Sequence, residues 1–291
     1  MNNFNKENKA RLLLFISAIL WSLGGLLIKG VSWHPVAISG MRSAIAVPVI
    51  LLFCRCRPRF TWSFLQIAAA VAYMMNVTLF VVANKLTTAA NAIFLQYTAP
   101  VYVAVVSAWF LKERTTKFDW FTIFAAMGGM FLFFLDDLAV GGMVGNVCAL
   151  GSGVSFAALV LLLRKQKDEA PMEALLLGNI FTAVVGLPFM FGPAPGASGW
   201  VGLLLLGLFQ LGLAYALYAT AVKHVTALEA ILIPVLEPVL NPVWVFLAMG
   251  ETPGPWSLLG GSVVLVAVTV RSVVRITGGK PGRYKTPSLE G

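Results

Sequence analysis

The amino-acid sequence predicts an all-α integral membrane protein with ten transmembrane helices, arranged as two inverted repeats of five helices, and with both termini in the cytoplasm. Composition, the spacing of apolar segments and an internal repeat support this prediction. The 291-residue chain is 59% hydrophobic and only 11% charged, whereas soluble proteins carry about 25% charged residues. A water-soluble fold of this length has too little interior to cover so much apolar surface. The composition therefore excludes soluble enzymes, disordered scaffolds and secreted disulfide-rich domains.

The spacing of the apolar segments predicts the ten spans. Each segment has close to the roughly 20 residues that an α-helix needs to cross the hydrocarbon core. Short loops rich in Gly, Pro and charged residues separate them, and these loops are too small to hold a soluble domain. The predicted spans lie at 12–28, 36–54, 64–83, 90–111, 118–135, 143–163, 172–191, 201–221, 226–249 and 256–274.

Loop charge predicts the orientation. With the N-terminus in the cytoplasm, all but three of the 21 Lys and Arg residues fall on the cytoplasmic side, the three being Lys29, Lys85 and Arg42. Cytoplasmic loops of membrane proteins carry an excess of these residues. The net charge of +9 therefore reflects topology and not a nucleic-acid surface, and the predicted location is the cytoplasmic membrane.

An internal repeat divides the chain into halves. Residues 85–113 align without a gap on residues 223–251, and the matches include Lys85 with Lys223, Thr88 with Thr226, Pro100 with Pro238, and Glu113 with Glu251. The predicted units are 1–138 and 139–276, followed by a disordered cytoplasmic tail at 277–291. Because each unit has an odd number of spans, the second enters the membrane from the opposite side. Inverted repeats of this kind are typical of transporters that work by alternating access.

The repeated segment resembles the EamA-type transporters of the drug/metabolite transporter superfamily. The residues that carry the resemblance are 89–92, Pro100 and 113–114 in one half, and 227–230, Pro238 and 250–251 in the other. The resemblance implies a cavity surrounded by spans 1, 3, 4, 8 and 9, and secondary active transport of a small polar or amphipathic metabolite. Members of the family move amino acids, amines, nucleotide sugars and other metabolites, and export of amino acids or related metabolites is the leading expectation.

Span 226–249 holds the strongest candidates for chemistry. Glu237 lies near its middle, where an ionisable group costs about 2.5–3.5 kcal/mol, and is predicted to handle a proton or a cation. The alternative is a protonated carboxyl group bonded to a neighbouring helix. Glu229, near the cytoplasmic end of the span, is predicted to act as a gate. Proline removes helical hydrogen bonds, and the predicted helix breaks are Pro100, Pro234, Pro238 and Pro242.

Polar and aromatic side chains at mid-depth in the other spans predict the substrate site. Aromatic residues usually gather at the membrane interfaces, so rings at mid-depth are informative. Arg42 lies near a span end, where its side chain can snorkel to the interface. A structural or lipid-facing role is expected for it, and the alternative is binding of a substrate carboxylate. The predicted substrate-binding residues are Trp21, Tyr73, Asn76, Gln96, Tyr97, Gln210, Tyr215 and Asn241.

Two substrate classes remain open from these residues. Rings with Gln and Asn side chains suit an amino acid, because amides both donate and accept hydrogen bonds. Rings with one carboxylate suit a quaternary amine or another organic cation through cation–π contact. The predicted partners are a small-molecule substrate, the lipid bilayer, and protons or a cation; the predicted oligomeric state is a monomer or homodimer.

Two other classes of membrane protein fit the sequence less well. An enzyme needs a catalytic cluster, and the spans carry no grouping of His, Cys, Asp and Glu that would form one, so the protein is predicted not to be an enzyme. The sequence has no Gly-rich phosphate-binding loop with the Gly-Lys-Ser/Thr ending, and no cofactor, metal or nucleic acid is expected. A non-transporting scaffold has no need of polar residues at mid-depth.

Overall fold

The computed structural model describes residues 2–135, 142–240 and 254–277, and secondary structure in these ranges is entirely helical. The helices of the first half are α1 (Asn2–Ser22), α2 (Gly24–Gly30), α3 (Pro35–Phe53), α4 (Phe64–Leu86), α5 (Ala89–Gln96), α6 (Ala99–Phe110) and α7 (Lys117–Phe133). Those of the second half are α8 (Met143–Lys165), α9 (Pro171–Gly186), α10 (Ala197–Leu205), α11 (Ala214–Val222), α12 (Ala227–Leu232) and α13 (Pro255–Thr277).

Within the described ranges, eight helical segments are long and apolar enough to cross a membrane. They correspond to eight of the predicted spans and confirm a multi-pass, all-helical chain. The predicted span at 118–135 is the 17-residue helix α7. The predicted span at 226–249 is described only as far as residue 240, so Asn241, Pro242 and Glu251 lie outside the described residues.

Several spans depart from regular α-helix, and the departures lie in the middle of the bundle. Helix α5 ends at Gln96 and α6 starts at Ala99, directly before Pro100, which has no N–H for the carbonyl four residues earlier. Residues Leu206–Leu213 form a π-helix between α10 and α11, and Ile233–Val235 form a 3₁₀ turn after α12. Irregular backbone at membrane depth is tolerated where protein or a watery cavity satisfies its polar groups.

Small residues let the two halves pack closely. A Cβ added to Gly153 of α8 would lie 2.7 Å from the carbonyl oxygen of Gln96, so only glycine permits this contact. A Cβ added to Gly129 of α7 would lie 2.9 Å from the Gly260 carbonyl oxygen of α13, whereas a Cβ at the adjacent Gly128 would have nothing within 4 Å.

Helices α5 and α12, at equivalent positions in the two halves, begin with the same type of N-cap. The hydroxyl of Thr88 accepts a hydrogen bond from the backbone N–H of Asn91 at 3.1 Å, and Thr226 accepts one from Glu229 at 3.2 Å. Such a cap stabilises a helix by about 1 kcal/mol. Asn91 hydrogen-bonds Asn146 near the start of α8, whereas the α12 start is bonded to Glu113, which pairs with Arg164 at the end of α8. The two caps therefore lie at opposite ends of the molecule.

Candidate functional site

A small polar cavity lies between the two halves, at the level of the helix irregularities. Its volume is about 30 Å³, and since about 10–15 Å³ of such volume holds one water molecule, it has room for only a few waters. A metabolite therefore fits only after helices or side chains around the cavity have moved. The lining residues are Trp21, Arg42, Asn76, Val77, Phe80 and Gln96 from the first half, and Phe156, Gln210, Leu211, Tyr215 and Glu237 from the second.

Asn76 of α4 is the centre of a hydrogen-bonded network on one wall of the cavity. The side-chain amide of Gln96 donates to Asn76 Oδ1 at 3.0 Å and to the Ser152 hydroxyl at 2.8 Å. The Asn76 amide donates in turn to the Tyr215 hydroxyl at 3.0 Å. Satisfied polar networks of this kind hold their side chains in fixed positions, so four helices present one ordered polar wall.

Glu237 of the second half lines another wall of the cavity and is bonded from behind by Tyr97 of the first half. The Tyr97 hydroxyl lies 2.7 Å from Glu237 Oε2 and 2.7 Å from the carbonyl oxygen of Pro234. Pro238 has no N–H with which to satisfy that carbonyl, so the tyrosine takes the place of the missing helical donor. The single hydroxyl proton can serve only one acceptor at a time. An ionised Glu237 accepts the hydrogen bond from the Tyr97 hydroxyl. A protonated Glu237 instead donates to the tyrosine oxygen, and the tyrosine hydroxyl then donates to the Pro234 carbonyl oxygen.

Removing the Tyr97 hydroxyl should therefore destabilise the protein. Tyr97→Phe leaves a buried carbonyl without a donor, and we expect a loss of about 1–3 kcal/mol, measured as a lower melting temperature in detergent. Tyr218→Phe is the matched control, because the buried Tyr218 hydroxyl has no hydrogen-bond partner in the described residues; its melting temperature should stay near that of the wild type. Equal losses in the two variants would contradict the assigned hydrogen bonds.

An aromatic cluster forms a third wall. The Trp21 ring lies 4.8 Å from the Tyr215 ring, 5.2 Å from Tyr218 and 6.0 Å from Phe156, centre to centre. The Trp21 indole N–H is buried and makes no hydrogen bond to the described residues. Buried tryptophan N–H groups usually have a partner. A residue that lines the cavity therefore has a hydrogen-bond donor that the described residues leave unused.

Three ion pairs between described residues lie at one end of the molecule, and each joins the first half to the second. Arg271 of α13 lies 2.9 Å from Asp119 of α7. Arg11 of α1 lies 3.0 Å from Glu229, and Arg164 lies 2.8 Å from Glu113. Glu113 also accepts the backbone N–H of Ala227 at 2.8 Å. This is the end that the loop charges predict to be cytoplasmic. At the opposite end, a contact between the halves in the described residues is neutral: the Asn91 amide donates to Asn146 Oδ1 at 3.2 Å.

Comparison with known proteins decides the family. The model of the EamA-like transporter family matches residues 8–135 and again residues 143–273. The chain belongs to this family. The match confirms the resemblance inferred from the Ala-rich, Pro-containing helices of the two halves, and places the protein among the transporters of the drug/metabolite transporter superfamily.

Relatives of this EamA-like protein are named as transporters. An uncharacterized transporter of Archaeoglobus fulgidus is 24% identical over 265 residues, which cover 88% of this chain and 94% of that protein. The threonine/homoserine exporter RhtA of Escherichia coli K12 is 27% identical over 202 residues, 64% of each chain. Solute carrier family 35 member G1 of Mus musculus is 25% identical over 291 residues, 89% of this chain and 77% of that protein.

A solved crystal structure has the same fold as this EamA-like chain. The two superpose with a TM-score of 0.78 at 18% identity, and the match covers 92% of this chain and 98% of that one.

The structure brings most of the predicted site residues of this EamA-like protein together. Tyr73 and Tyr97 lie behind the residues that line the cavity. The Tyr73 hydroxyl donates a hydrogen bond to Asn179 Oδ1 at 3.0 Å, and the Tyr97 hydroxyl bonds Glu237. Glu229 lies away from the cavity, in the ion pair with Arg11. The predicted residues that line the cavity are Trp21, Asn76, Gln96, Gln210, Tyr215 and Glu237.

Arg42 is the main residue that sequence reasoning misplaced. A structural or lipid-facing role was expected. The residue is 1% exposed and lines the cavity, so the lipid-facing position is wrong. Gly207 in the π-helix explains the burial, because a Cβ there would lie 2.5 Å from Ile45 of α3, and only glycine lets α3 approach. The sequence signal was the small Ser39, Ser43 and Ala46 on the Arg42 face of α3, which is typical of a helix–helix interface.

Proposed function

We propose that this protein is a secondary active transporter that exports amino acids or related small polar metabolites across the cytoplasmic membrane by alternating access. Ten transmembrane helices form two inverted halves, residues 1–138 and 139–276, with both termini in the cytoplasm. The family model matches once in each half, which supports the division. The caps of Thr88 and Thr226, which lie at opposite ends of the molecule, support the inversion.

The observation that carries the proposal is the polar cavity at the junction of the halves. Buried in it are the carboxyl group of Glu237, the amides of Asn76, Gln96 and Gln210, and the guanidinium group of Arg42. Ionisable groups at membrane depth are expensive and mark substrate and ion pathways. In transporters with inverted repeats, substrate sites lie near the midplane between the repeats. The exporter relative in Escherichia coli supports amino acids as the substrate class.

Alternating access requires that the cavity open to one side at a time. The pairs Arg11–Glu229 and Glu113–Arg164 join the halves at the proposed cytoplasmic end. They stabilise the conformation that is closed on that side, and they must separate before a cytoplasmic substrate enters. The neutral contact between Asn91 and Asn146 closes the outer end more weakly.

Glu237 is the proposed coupling residue. Its carboxyl group is 9% exposed and bonds the Tyr97 hydroxyl across the junction of the halves. The ammonium group of an amino acid and a proton both compensate the charge of an ionised carboxylate. If each excludes the other at Glu237, inward movement of a proton drives outward movement of an amino acid.

Counterflow in proteoliposomes tests the proposal. Purified protein is reconstituted in vesicles loaded with unlabelled L-threonine, and uptake of labelled L-threonine is measured against empty liposomes and against choline-loaded vesicles. We expect threonine-loaded vesicles to accumulate label several-fold above both controls, and an imposed pH gradient to change the rate. Absence of exchange with threonine and with a panel of other amino acids would overturn the amino-acid assignment.

The second candidate is a carrier of quaternary amines or other organic cations. It is favoured by Glu237 in the same cavity as the rings of Trp21 and Tyr215, because aromatic faces attract cations. The guanidinium of Arg42 in the same cavity opposes it, because like charges repel at short range in a medium of low dielectric constant. Exchange of labelled choline in the choline-loaded vesicles, without exchange of threonine, would favour this candidate.

A further inference from the structure

Arg42 is a buried cation without a buried anion. The described residues contain four arginines in which the guanidinium is largely shielded from solvent. Arg11, Arg164 and Arg271 each have a carboxylate oxygen within 3.0 Å. The Arg42 guanidinium instead donates to neutral acceptors, Gln210 Oε1 at 3.2 Å and the Val77 carbonyl oxygen at 2.9 Å.

The hydrogen-bonding capacity of Arg42 is only partly used. Its Nε–H is buried and has no partner among the described residues, although a guanidinium carries five N–H donors in a fixed fork. The indole N–H of Trp21, on the same cavity, is likewise unpartnered. Buried donors without acceptors each cost about 1–3 kcal/mol, and a buried charge without a counter-ion costs more. A cation that no described carboxylate contacts therefore lines the cavity, and an anionic group bound there would compensate its charge.

Glu237 does not supply that group. Both residues line the cavity, yet in the described residues no oxygen of Glu237 lies within 4.0 Å of the Arg42 guanidinium. One oxygen of Glu237 is instead bonded to Tyr97. The cavity thus has a guanidinium group on one side, at Arg42, and a separate carboxyl group at Glu237.

We propose that Arg42 binds the carboxylate of the substrate and that the transported compounds are zwitterions with a carboxylate and an ammonium group. The carboxylate accepts two N–H groups of the guanidinium fork, as arginine–carboxylate pairs commonly do, and the ammonium group faces Glu237. A simple organic cation leaves the donors of Arg42 unsatisfied, and a dicarboxylate brings a second negative charge to Glu237. This assignment rests on the proposed function and narrows its substrate class.

A panel of four probes tests the assignment on the wild-type protein. L-Threonine carries both charges, its methyl ester lacks the carboxylate, 3-hydroxybutyrate lacks the ammonium group, and ethanolamine is a simple amine. Competition with labelled L-threonine exchange, and the shift in melting temperature on binding, are measured for each probe. Because a hydrogen bond to a charged group contributes about 1.5–3 kcal/mol, we expect L-threonine to bind about tenfold or more tightly than its ester.

Variants of Arg42 assign the discrimination to this residue. Arg42→Gln should bring the affinities for L-threonine and its ester to within about twofold of each other, and Arg42→Lys, which keeps the charge without the fork, should fall between. Gln166→Leu is a control, since Gln166 is a buried amide outside the cavity whose side chain has no partner in the described residues; it should leave the ratio unchanged. Unchanged discrimination in Arg42→Gln would overturn the assignment.

The panel separates failure of this inference from failure of the proposed function. Binding of the ester and ethanolamine as tightly as threonine would keep a transporter of amines and overturn the role of Arg42. Binding of 3-hydroxybutyrate without threonine would keep Arg42 as a carboxylate site and overturn amino-acid export. If Arg42→Gln does not fold, the wild-type ratio of acid to ester still decides, since a ratio near one overturns the assignment.

Discussion

Glu237→Gln is expected to abolish accumulation of amino acid driven by a pH gradient in proteoliposomes. Glutamine has nearly the same shape and still accepts a hydrogen bond from Tyr97, but it neither ionises nor carries a proton. The variant should also bind L-threonine about tenfold more weakly, because an ammonium group loses its charged partner. Exchange at high substrate concentration should remain measurable. The rate of that exchange should no longer depend on pH. The pH dependence of the exchange rate is therefore the measurement that identifies the coupling group.

The control for this prediction makes the same substitution on a neighbouring segment. Glu229→Gln removes a carboxylate that lies outside the cavity and pairs with Arg11. It should change the rate of transport through the loss of that pair, but it should keep the dependence of transport on pH. Glu237→Asp retains an ionisable group and should retain part of the pH dependence. Persistence of full proton-driven accumulation in Glu237→Gln would show that the coupling group lies elsewhere and would leave the carboxyl group a structural role.

The membrane-spanning architecture was largely predictable from the sequence because its cause is local. A helix crosses the bilayer when about 20 consecutive residues are apolar, and a carboxyl group such as Glu237 within such a run is conspicuous. Gln96, Asn76 and Gln210 stood out for the same reason, since each is a polar residue at mid-depth in an apolar segment. These features need no knowledge of which helices are neighbours.

The charge arrangement of the cavity was not predictable because it depends on contacts between distant segments. The depth of Arg42 in its span suggested an interfacial position; its burial follows from the approach of α3 to the π-helix at Gly207. The π-helix itself has no clear signature in an apolar run of Leu and Gly. The hydrogen bond between Tyr97 and the Pro234 carbonyl oxygen requires the opposed packing of both halves.

The two ends of the molecule differ in how the halves are held together, although the repeat would make them equal. Asn91 and Glu229 are equivalent positions, and each closes one end through a contact to the opposite half. Glu229 has a carboxylate where the equivalent Asn91 has an amide. Partly shielded ion pairs are stronger than neutral hydrogen bonds in the same surroundings, so under the proposed inverted repeat these contacts of the described residues favour closure at the end that the loop charges predict to be cytoplasmic.

Arg164→Gln is expected to loosen that end. Arg164 bonds Glu113 at 2.8 Å and also donates to the carbonyl oxygens of Val222 and Lys223 at 3.1 and 3.0 Å. Its removal leaves the Glu113 carboxylate, with a side chain 11% exposed, without its cation. A shift of about 1.4 kcal/mol changes a two-state population tenfold. We expect the fraction of molecules that are open at this end to rise about tenfold.

Thiol labelling measures the shift. A cysteine is placed at Gln96 in a chain whose native Cys54, Cys56 and Cys148 are replaced by serine, and its reaction with a membrane-impermeant maleimide added on the cytoplasmic face is timed. Labelling should be about tenfold faster with Arg164→Gln than without it. Lys165→Gln removes the same charge one residue later, from an exposed lysine that bonds a carbonyl oxygen and no carboxylate, and should leave the rate unchanged. Equal rates in all three proteins would mean that the ion pair does not hold this end closed.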